Sequence, residues 1–495
     1  MAENQPQAPI HIVMASSEIS PFGQTGGLGD VLGSLPVALE QLGLKISLIM
    51  PAYRTVLKRK FEFEDTGISL SVPVSNRTEH GTVLKGIIGK SIPVYFIRAD
   101  KYFDREELYS HDGIDFPDNA ERFTFFSRAV LELCKHLSPD ILHANDWETA
   151  LSITFLKTQR VLYPELDRTR TVLTIHNLGY QGIFWKPDWH ILNLEWRFFT
   201  SEYLEFYGKI NFLKAGIVFA DRVTTVSPSY AQEIQTQEFG FGLDGVLRAR
   251  AKSLTGILNR IDYHEWNPAI DNKIKQTYST DDLTGKARCK SELQKFFHLP
   301  SSPETPIIGW VSRLVSQKGC DLLQQVLPEL LTKNVQFVLL GDGDTQYSDI
   351  FKQLPSAYPN KAGVHIGYDD ALMRNIVAGS DFLLLPSRYE PCGLTQLYGL
   401  RYGTPSVVRA TGGLKDSIHE FHPESGTGTG FLFEKYEAKE FEAAISRALS
   451  CYEQKNNWNS IIRNAMKTDV SWKKSAHVYK ELYTNLLSQP AEPTN

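Results

Sequence analysis

The strongest constraint on this chain is a rhythm that runs once, pauses, and runs again. Short β-branched runs, "HIVMAS" (11–16), "KISLIM" (45–50), "DILHAN" (140–145), "TVLTIH" (171–176) and "RVTTVS" (222–227), alternate with longer helical stretches. Such alternation predicts parallel sheets wrapped by helices, because a parallel connection must cross over and a helix makes that crossing. After the Ser/Pro-rich "SSPETP" (301–306) the rhythm restarts with "IIGWVS" (307–312), "VQFVLL" (335–340), "DFLLLP" (381–386) and "PSVVRA" (405–410). Two doubly wound α/β units in tandem are the simplest account. The length of 495 residues agrees, being too great for one hydrophobic core.

The stretches "SLSVPVS" and "TVLKGIIGKSIPVYFIRAD" read as antiparallel strands added to the first unit. Near the end, "SWKKSAHVYKELYTNLL" (471–487) sets Trp472, Ala476, Tyr479, Leu482 and Tyr483 on neighbouring helical turns, which predicts a helix packed on a domain surface.

With a formal net charge of -5, the chain has no overall basic field for nucleic acid or an anionic membrane. Any phosphate must be held by a local site. The five cysteines, Cys134, Cys289, Cys320, Cys392 and Cys451, are scattered and form no C-x-x-C pair, so reduced thiols are expected rather than disulfides or structural zinc. The opening "MAENQPQAPI" has no apolar signal core, and no later stretch approaches the roughly 20 apolar residues of a membrane span.

Candidate chemistry gathers where predicted strands end. In "SPFGQTGGLGD" (20–30) the glycines lie between a strand and a helix predicted over 30–44, where backbone N–H groups and the helix dipole favour an anion. The spacing is neither G-x-G-x-x-G nor a P-loop, and a plain tight turn would give the same letters. "WVSRLVSQKG" (310–319) offers Arg313 and Lys318, a planar fork and a mobile ammonium that together suit a diphosphate; two solvated loop cations fit as well. In "SRYEPCGLTQLYGLRYGTP" (387–405), Glu390 precedes a turn whose Gly393, Leu394 and Thr395 open a helix toward the same crevice, and Cys392, with no base beside it, reads as a packing residue.

"LHANDWETA" (142–150) and "TIHNLGYQG" (174–182) add Asp146, Trp147, His176 and Asn177 at two further strand ends, where open α/β sheets form ligand crevices. A structural histidine at 176 fits equally. The Asp-Gly-Asp of "GDGDTQ" (341–346) lacks companion ligands and reads as a turn, and no metal site is expected.

Taken in order, "TGGLGDVLGSLP", "HANDW", "TIHNLGYQG", "FLKAGIVFADRVTTVSP", "VSRLVSQKG", "LPSRYEPCGLTQLYGLRYGTPSVVRATGGL" and "SWKKSAHVYKELY" resemble bacterial glycogen synthase and plant starch synthase. The resemblance runs from about residue 10 to 487. It implies a GT-B fold: Rossmann-like domains over 1–258 and 259–470 with the active site in their cleft, and 471–495 crossing back to the first domain. It implies retaining transfer of glucose from ADP-glucose to the 4-hydroxyl of an α-1,4-glucan. The implied partners are glycogen, starch or maltooligosaccharide and a nucleotide sugar, with no metal or other cofactor and neither nucleic acid nor membrane. The implied compartment is bacterial cytosol, or plastid stroma after loss of a transit peptide.

By the same resemblance Glu390, His176, Arg313, Lys318 and Asp146 carry the catalysis. Gln24, Gly26, Gly27, Asn177, Asn259, Tyr368, Cys392, Gly393, Leu394 and Thr395 surround the donor, with Tyr368 stacking on the base. Glu390 would hold the glucose hydroxyls. Lacking a clear second carboxylate for a covalent intermediate, the sequence favours front-face attack with the leaving phosphate taking the acceptor proton.

Two residues depart from the family pattern. Gln24 stands where the family usually has a lysine, and Arg260 in "LNRID" where it generally has glycine. A charge-assisted contact contributes about 1.5–3 kcal/mol and a neutral one about 0.5–1.5 kcal/mol, so Gln24 weakens the site without silencing it. Arg260 is a candidate to restore the missing charge. Two other readings remain open: a UDP-glucose-using or other-acceptor retaining transferase, and a weakly active glucan-binding scaffold.

Overall fold

Apolar runs with both faces covered become the central parallel strands of two sheets. The computed structural model describes residues 8–111 and 113–490. They fall into two units, one of residues 8–226, 231–257 and 472–490, the other of 227–230 and 258–471. The first unit's nine-stranded sheet runs in the order Leu254–Gly256, Arg222–Thr225, Arg170–Ile175, Ile141–Asn145, His11–Ala15, Lys45–Pro51, Ile92–Arg98, Arg77–Ile88, Glu64–Val74. Neighbours are parallel as far as Ile92–Arg98, and Arg77–Ile88 and Glu64–Val74 add on antiparallel.

The second unit's sheet has six parallel strands, in the order Ala362–Ile366, Gln336–Gly341, Ile307–Val311, Phe382–Leu385, Ser406–Arg409, Gly430–Phe433. Every parallel strand expected from an apolar run is present, with ends within about two residues of those expected. Within these two sheets three further strands, Leu254–Gly256, Ala362–Ile366 and Gly430–Phe433, are not legible in the sequence: each is a sheet edge containing glycine, so its apolar run is short.

Chain order reverses across the pair His11–Ala15 and Ile141–Asn145 in the first sheet, and across Ile307–Val311 and Phe382–Leu385 in the second. At such switch points the outgoing loops diverge and leave a crevice beyond the strands' carboxyl ends. The glycine loop and Asp146 follow the first pair; Lys318 and Glu390 follow the second.

The last helix, Lys473–Ser488, belongs to the first unit. Tyr479 and Tyr483 are buried there, the Tyr483 hydroxyl shares a 2.8 Å hydrogen bond with His143 Nδ1, and Trp472 Nε1 donates to Ser34 Oγ at 2.8 Å. All five cysteines are free and buried.

Candidate active site

In the second unit, two loops meet around one carboxylate. Strand Ile307–Val311 leads into a 3-10 turn, Ser316–Lys318, closed by Gly319 at φ 82°. A Cβ on Gly319 would lie 2.2 Å from the Pro386 carbonyl oxygen, so only glycine lets this loop pack against the chain leaving Phe382–Leu385. That contact brings Lys318 to Glu390. The ammonium donates to Oε1 at 2.9 Å and Oε2 at 2.6 Å, and Ser387 Oγ donates to Oε2 at 2.9 Å.

Trp310, Lys318, Ser387, Glu390 and Gly393 to Thr395 line one pocket. Gly393 takes φ 73°, and the following helix, Thr395–Arg401, starts at the pocket wall. Cys392 is buried beside the Asn259 carbonyl, and burial pushes its thiol up to about 12, which fits packing and not nucleophilic attack. Asn259 Oδ1 is buried without a hydrogen-bond partner among the described residues. Arg313 is exposed on the Lys318 loop, and Tyr368 is exposed just past strand Ala362–Ile366. Arg260 donates to the Asp469 carbonyl at 3.1 Å within the same unit.

In the first unit, the ends of neighbouring strands bring Asp146 to His176. Asp146 stands at φ 57°, a strained conformation for a residue with a side chain. Its carboxylate accepts the His176 backbone N–H at 2.7 Å, with that of Asn177 as a further donor. Burial nevertheless pushes the Asp146 carboxyl up to about 7, and holds His176 at about 3. His176 is therefore neutral at pH 7, with Nε2 donating to Asn145 Oδ1 at 3.0 Å. Asn177 Oδ1 accepts the Gly179 N–H at 3.0 Å and fixes the turn it stands in.

The glycine loop is held by a residue that the sequence reading passed over. Glu18, buried just beyond strand His11–Ala15, takes the backbone N–H groups of Thr25 and Gly26. The helix starts at Gly27, three residues earlier than expected, and its first turn has no side-chain cap. Gly26 is extended at φ -162°, with nothing within 4 Å of where a Cβ would stand. Gln24 lies over Gly29, and its Oε1 is buried without a partner among the described residues. Glu148, in the first turn of helix Trp147–Thr158, carries no sequence signal that sets it apart from a surface acid. Burial and the neighbouring Asp146 charge push its carboxyl up, so Glu18, Asp146 and Glu148 form an acidic cluster.

Residues 11–249 match the family described as "Starch synthase catalytic domain", and residues 292–465 match "Glycosyl transferases group 1". The chain is 46% identical over 476 residues to glycogen synthase of Koribacter versatilis, spanning 96% of this chain and 98% of that one. It belongs to the glycogen and starch synthase family. Glycogen synthase of Thermotoga maritima is 45% identical over 488 residues, 97% of this chain and 99% of that one. The catalytic domain of starch synthase IV from Arabidopsis thaliana, bound to ADP and acarbose, matches with a TM-score of 0.91 at 32% identity, covering 97% of this chain and 100% of that one. Sucrose-phosphate synthase from Thermosynechococcus elongatus, at 16% identity and a TM-score of 0.61 over 97% of this chain and 99% of that one, shares the fold.

As a glycogen and starch synthase family member, the chain has the GT-B fold of two α/β units and is a glucosyltransferase. Among the described residues, no helix is long and apolar enough to cross a membrane.

Proposed function

We propose that this enzyme transfers glucose from ADP-glucose to the 4-hydroxyl at the non-reducing end of an α-1,4-glucan, with retention at the anomeric carbon. The observation that carries the reading is the grip of Lys318 on both oxygens of Glu390, in a pocket shared with Gly393, Leu394 and Thr395. Breaking a glucosyl–phosphate bond builds positive charge on the ring and negative charge on the leaving diphosphate, and catalysis favours fixed groups of the opposite sign near each. Lys318 can share its protons between Glu390 and a phosphate oxygen. It thereby links the group that favours ring charge to the group that neutralises the leaving charge.

Arg313 adds a second cation from the same loop, and amides at the Gly393 turn add dipoles. Tyr368, 75% exposed, offers an aromatic ring on which a base can stack. Neutral His176 can bond a sugar hydroxyl without setting a positive charge beside the developing oxocarbenium. Asp146, Asn177, Gln24, Gly26, Gly27 and Asn259 complete the donor surroundings in this reading, which requires neither metal nor organic cofactor.

Retention by front-face attack is favoured because Glu390 is a poor nucleophile. Its side chain is 6% exposed and its oxygens are occupied by Lys318 and Ser387. The leaving phosphate then accepts the acceptor's proton. A relative bound to ADP favours an adenine nucleotide, and the bacterial relatives favour a cytosolic setting.

The test is radiolabel transfer from ADP-glucose and UDP-glucose, with glycogen and maltooligosaccharides as acceptors. Incorporation from ADP-glucose, released by an α-1,4-specific amylase, is expected. Preference for UDP-glucose would overturn the donor. Glucan binding with no transfer from either would make the chain a scaffold.

A further inference from the structure

Four donors converge on the two oxygens of Glu18. Oε2 accepts the Thr25 N–H at 2.5 Å and the Gly26 N–H at 3.2 Å; Oε1 accepts Thr25 Oγ1 at 2.7 Å and Tyr109 Oη at 2.7 Å. A carboxylate's two oxygens offer four acceptor positions and no donor, so the side chain is saturated. Glu18 is 4% exposed, whereas Thr25, Gly26 and Gly27 are exposed. The loop is thus an exposed segment fastened from beneath by one buried side chain.

Tyr109 fixes that fastening to the rest of the unit. Its hydroxyl shares a 2.7 Å bond with Ser17 Oγ, and its carbonyl accepts Asn119 Nδ2 at 2.9 Å at the start of helix Asn119–Leu137. That helix carries Phe123, whose ring meets Trp147 edge-on at 4.8 Å, and Ser127, whose Oγ donates to the Glu148 carbonyl at 3.3 Å. Trp147 and Glu148 open the helix Trp147–Thr158 immediately after Asp146. A continuous set of contacts therefore runs from the Gly26 amide through Glu18 and Tyr109 to the backbone beside Asp146.

We propose that Glu18 is the positioning residue of the glycine loop: through Tyr109 it registers the loop against Asp146 and so sets affinity for the nucleotide sugar. Glu18 itself need not touch the donor. By occupying the Thr25 and Gly26 amides it leaves those of Gly27 and Leu28, in the first helical turn and with no acceptor among the described residues, as the loop's contribution to an anion. The link to the donor rests on the ADP-glucose reading; the hold on the loop does not.

The full-length Glu18→Gln and Tyr109→Phe variants test this. Glu18→Gln keeps the shape but sets an NH2 against N–H or O–H donors, and Tyr109→Phe removes one hydroxyl. Hydrogen exchange of residues 23–28 without ligand should quicken about tenfold or more, as expected for losing one or two hydrogen bonds, with the larger effect in Glu18→Gln. KM for ADP-glucose should rise about tenfold, while kcat and KM for glycogen stay within about threefold.

Unchanged exchange would overturn the proposal whatever KM does, since a raised KM alone would mean that Glu18 meets the ligand directly. Faster exchange with an unchanged donor KM would overturn the loop's link to the donor. If the unmodified enzyme transfers from neither ADP-glucose nor UDP-glucose, the functional reading fails, and the exchange comparison still decides whether Glu18 holds the loop.

Discussion

The Lys318 ammonium lies 2.9 Å and 2.6 Å from the two carboxylate oxygens of Glu390, residues whose loops leave neighbouring strands at the second sheet's switch point. Removing one partner of a fully buried pair costs about 3–5 kcal/mol, because the other charge is stranded. Lys318 is different: its side chain is 18% exposed and faces the pocket, where water can take up the freed protons. Glu390→Gln is therefore expected to lower the thermal midpoint by only about 2–4 °C while reducing kcat on the order of 100-fold or more. ADP should bind as tightly or more tightly, since Lys318 is released toward the diphosphate. Calorimetry and initial rates on one preparation check this, and near-normal kcat would remove Glu390 from the chemistry.

Gln24 presents an oxygen with no partner among the described residues, so little is lost by replacing it. Gln24→Lys sets an ammonium where the amide stands and should raise kcat/KM for ADP-glucose about 5- to 30-fold, the difference between a neutral and a charge-assisted contact. If Arg260 already compensates, Arg260→Gly will cost more in the Gln24 enzyme than in Gln24→Lys, and strictly additive effects would show that the two do not communicate. An unchanged or lower rate in Gln24→Lys would mean that the loop makes a different contact.

The parts of the fold carried by long apolar runs were legible because burial on both faces of a parallel strand writes itself into consecutive residues. Leu254–Gly256 and Gly430–Phe433 escaped because an edge strand needs no such run. The site behaved likewise. Asp146, His176, Lys318 and Glu390 could be found as polar residues ending apolar strands. Glu18 and Tyr109 lie 91 positions apart and become partners only through sheet and helix packing, which no local pattern records. Glu148 was in view, yet an acid in a helix's first turn is common on surfaces, and its burial beside Asp146 exists only in the fold.

Two glycines of the loop should respond differently to the same methyl group. A Cβ on Gly29 would stand 2.5 Å from Gln24 Cβ, so Gly29→Ala should cost about 1–3 kcal/mol by overpacking, seen as a lower thermal midpoint. Gly26 has open space and an ordinary extended backbone, so Gly26→Ala should leave the midpoint unchanged. It should nevertheless raise KM for the nucleotide sugar several-fold, because the space that the fold leaves open is what a ligand would approach. Equal midpoints for the two variants, or an unchanged KM in Gly26→Ala, would contradict this division.

His143 gives the first unit a pH dependence with a definite sign. Its ring nitrogens are shared with the Tyr483 hydroxyl at 2.8 Å and Thr174 Oγ1 at 2.6 Å, and burial lowers its pKa from 6.5 to about 3. Below pH 6.5 the unfolded chain takes up a proton there that the folded chain refuses, so stability falls with falling pH, by at most about 1.4 kcal/mol per pH unit. His176, also held at about 3 by burial, acts in the same direction. Asp146 and the adjoining Glu148 oppose them: burial and their mutual repulsion raise both carboxyls, so their share of stability is present at low pH and is lost as pH rises above the ordinary carboxylate range. His143→Gln should therefore flatten the acid side of the midpoint-against-pH curve between pH 6.5 and 5, and Asp146→Asn should steepen it. Parallel curves for the two variants and the unmodified enzyme would mean that neither group is coupled to folding in this range.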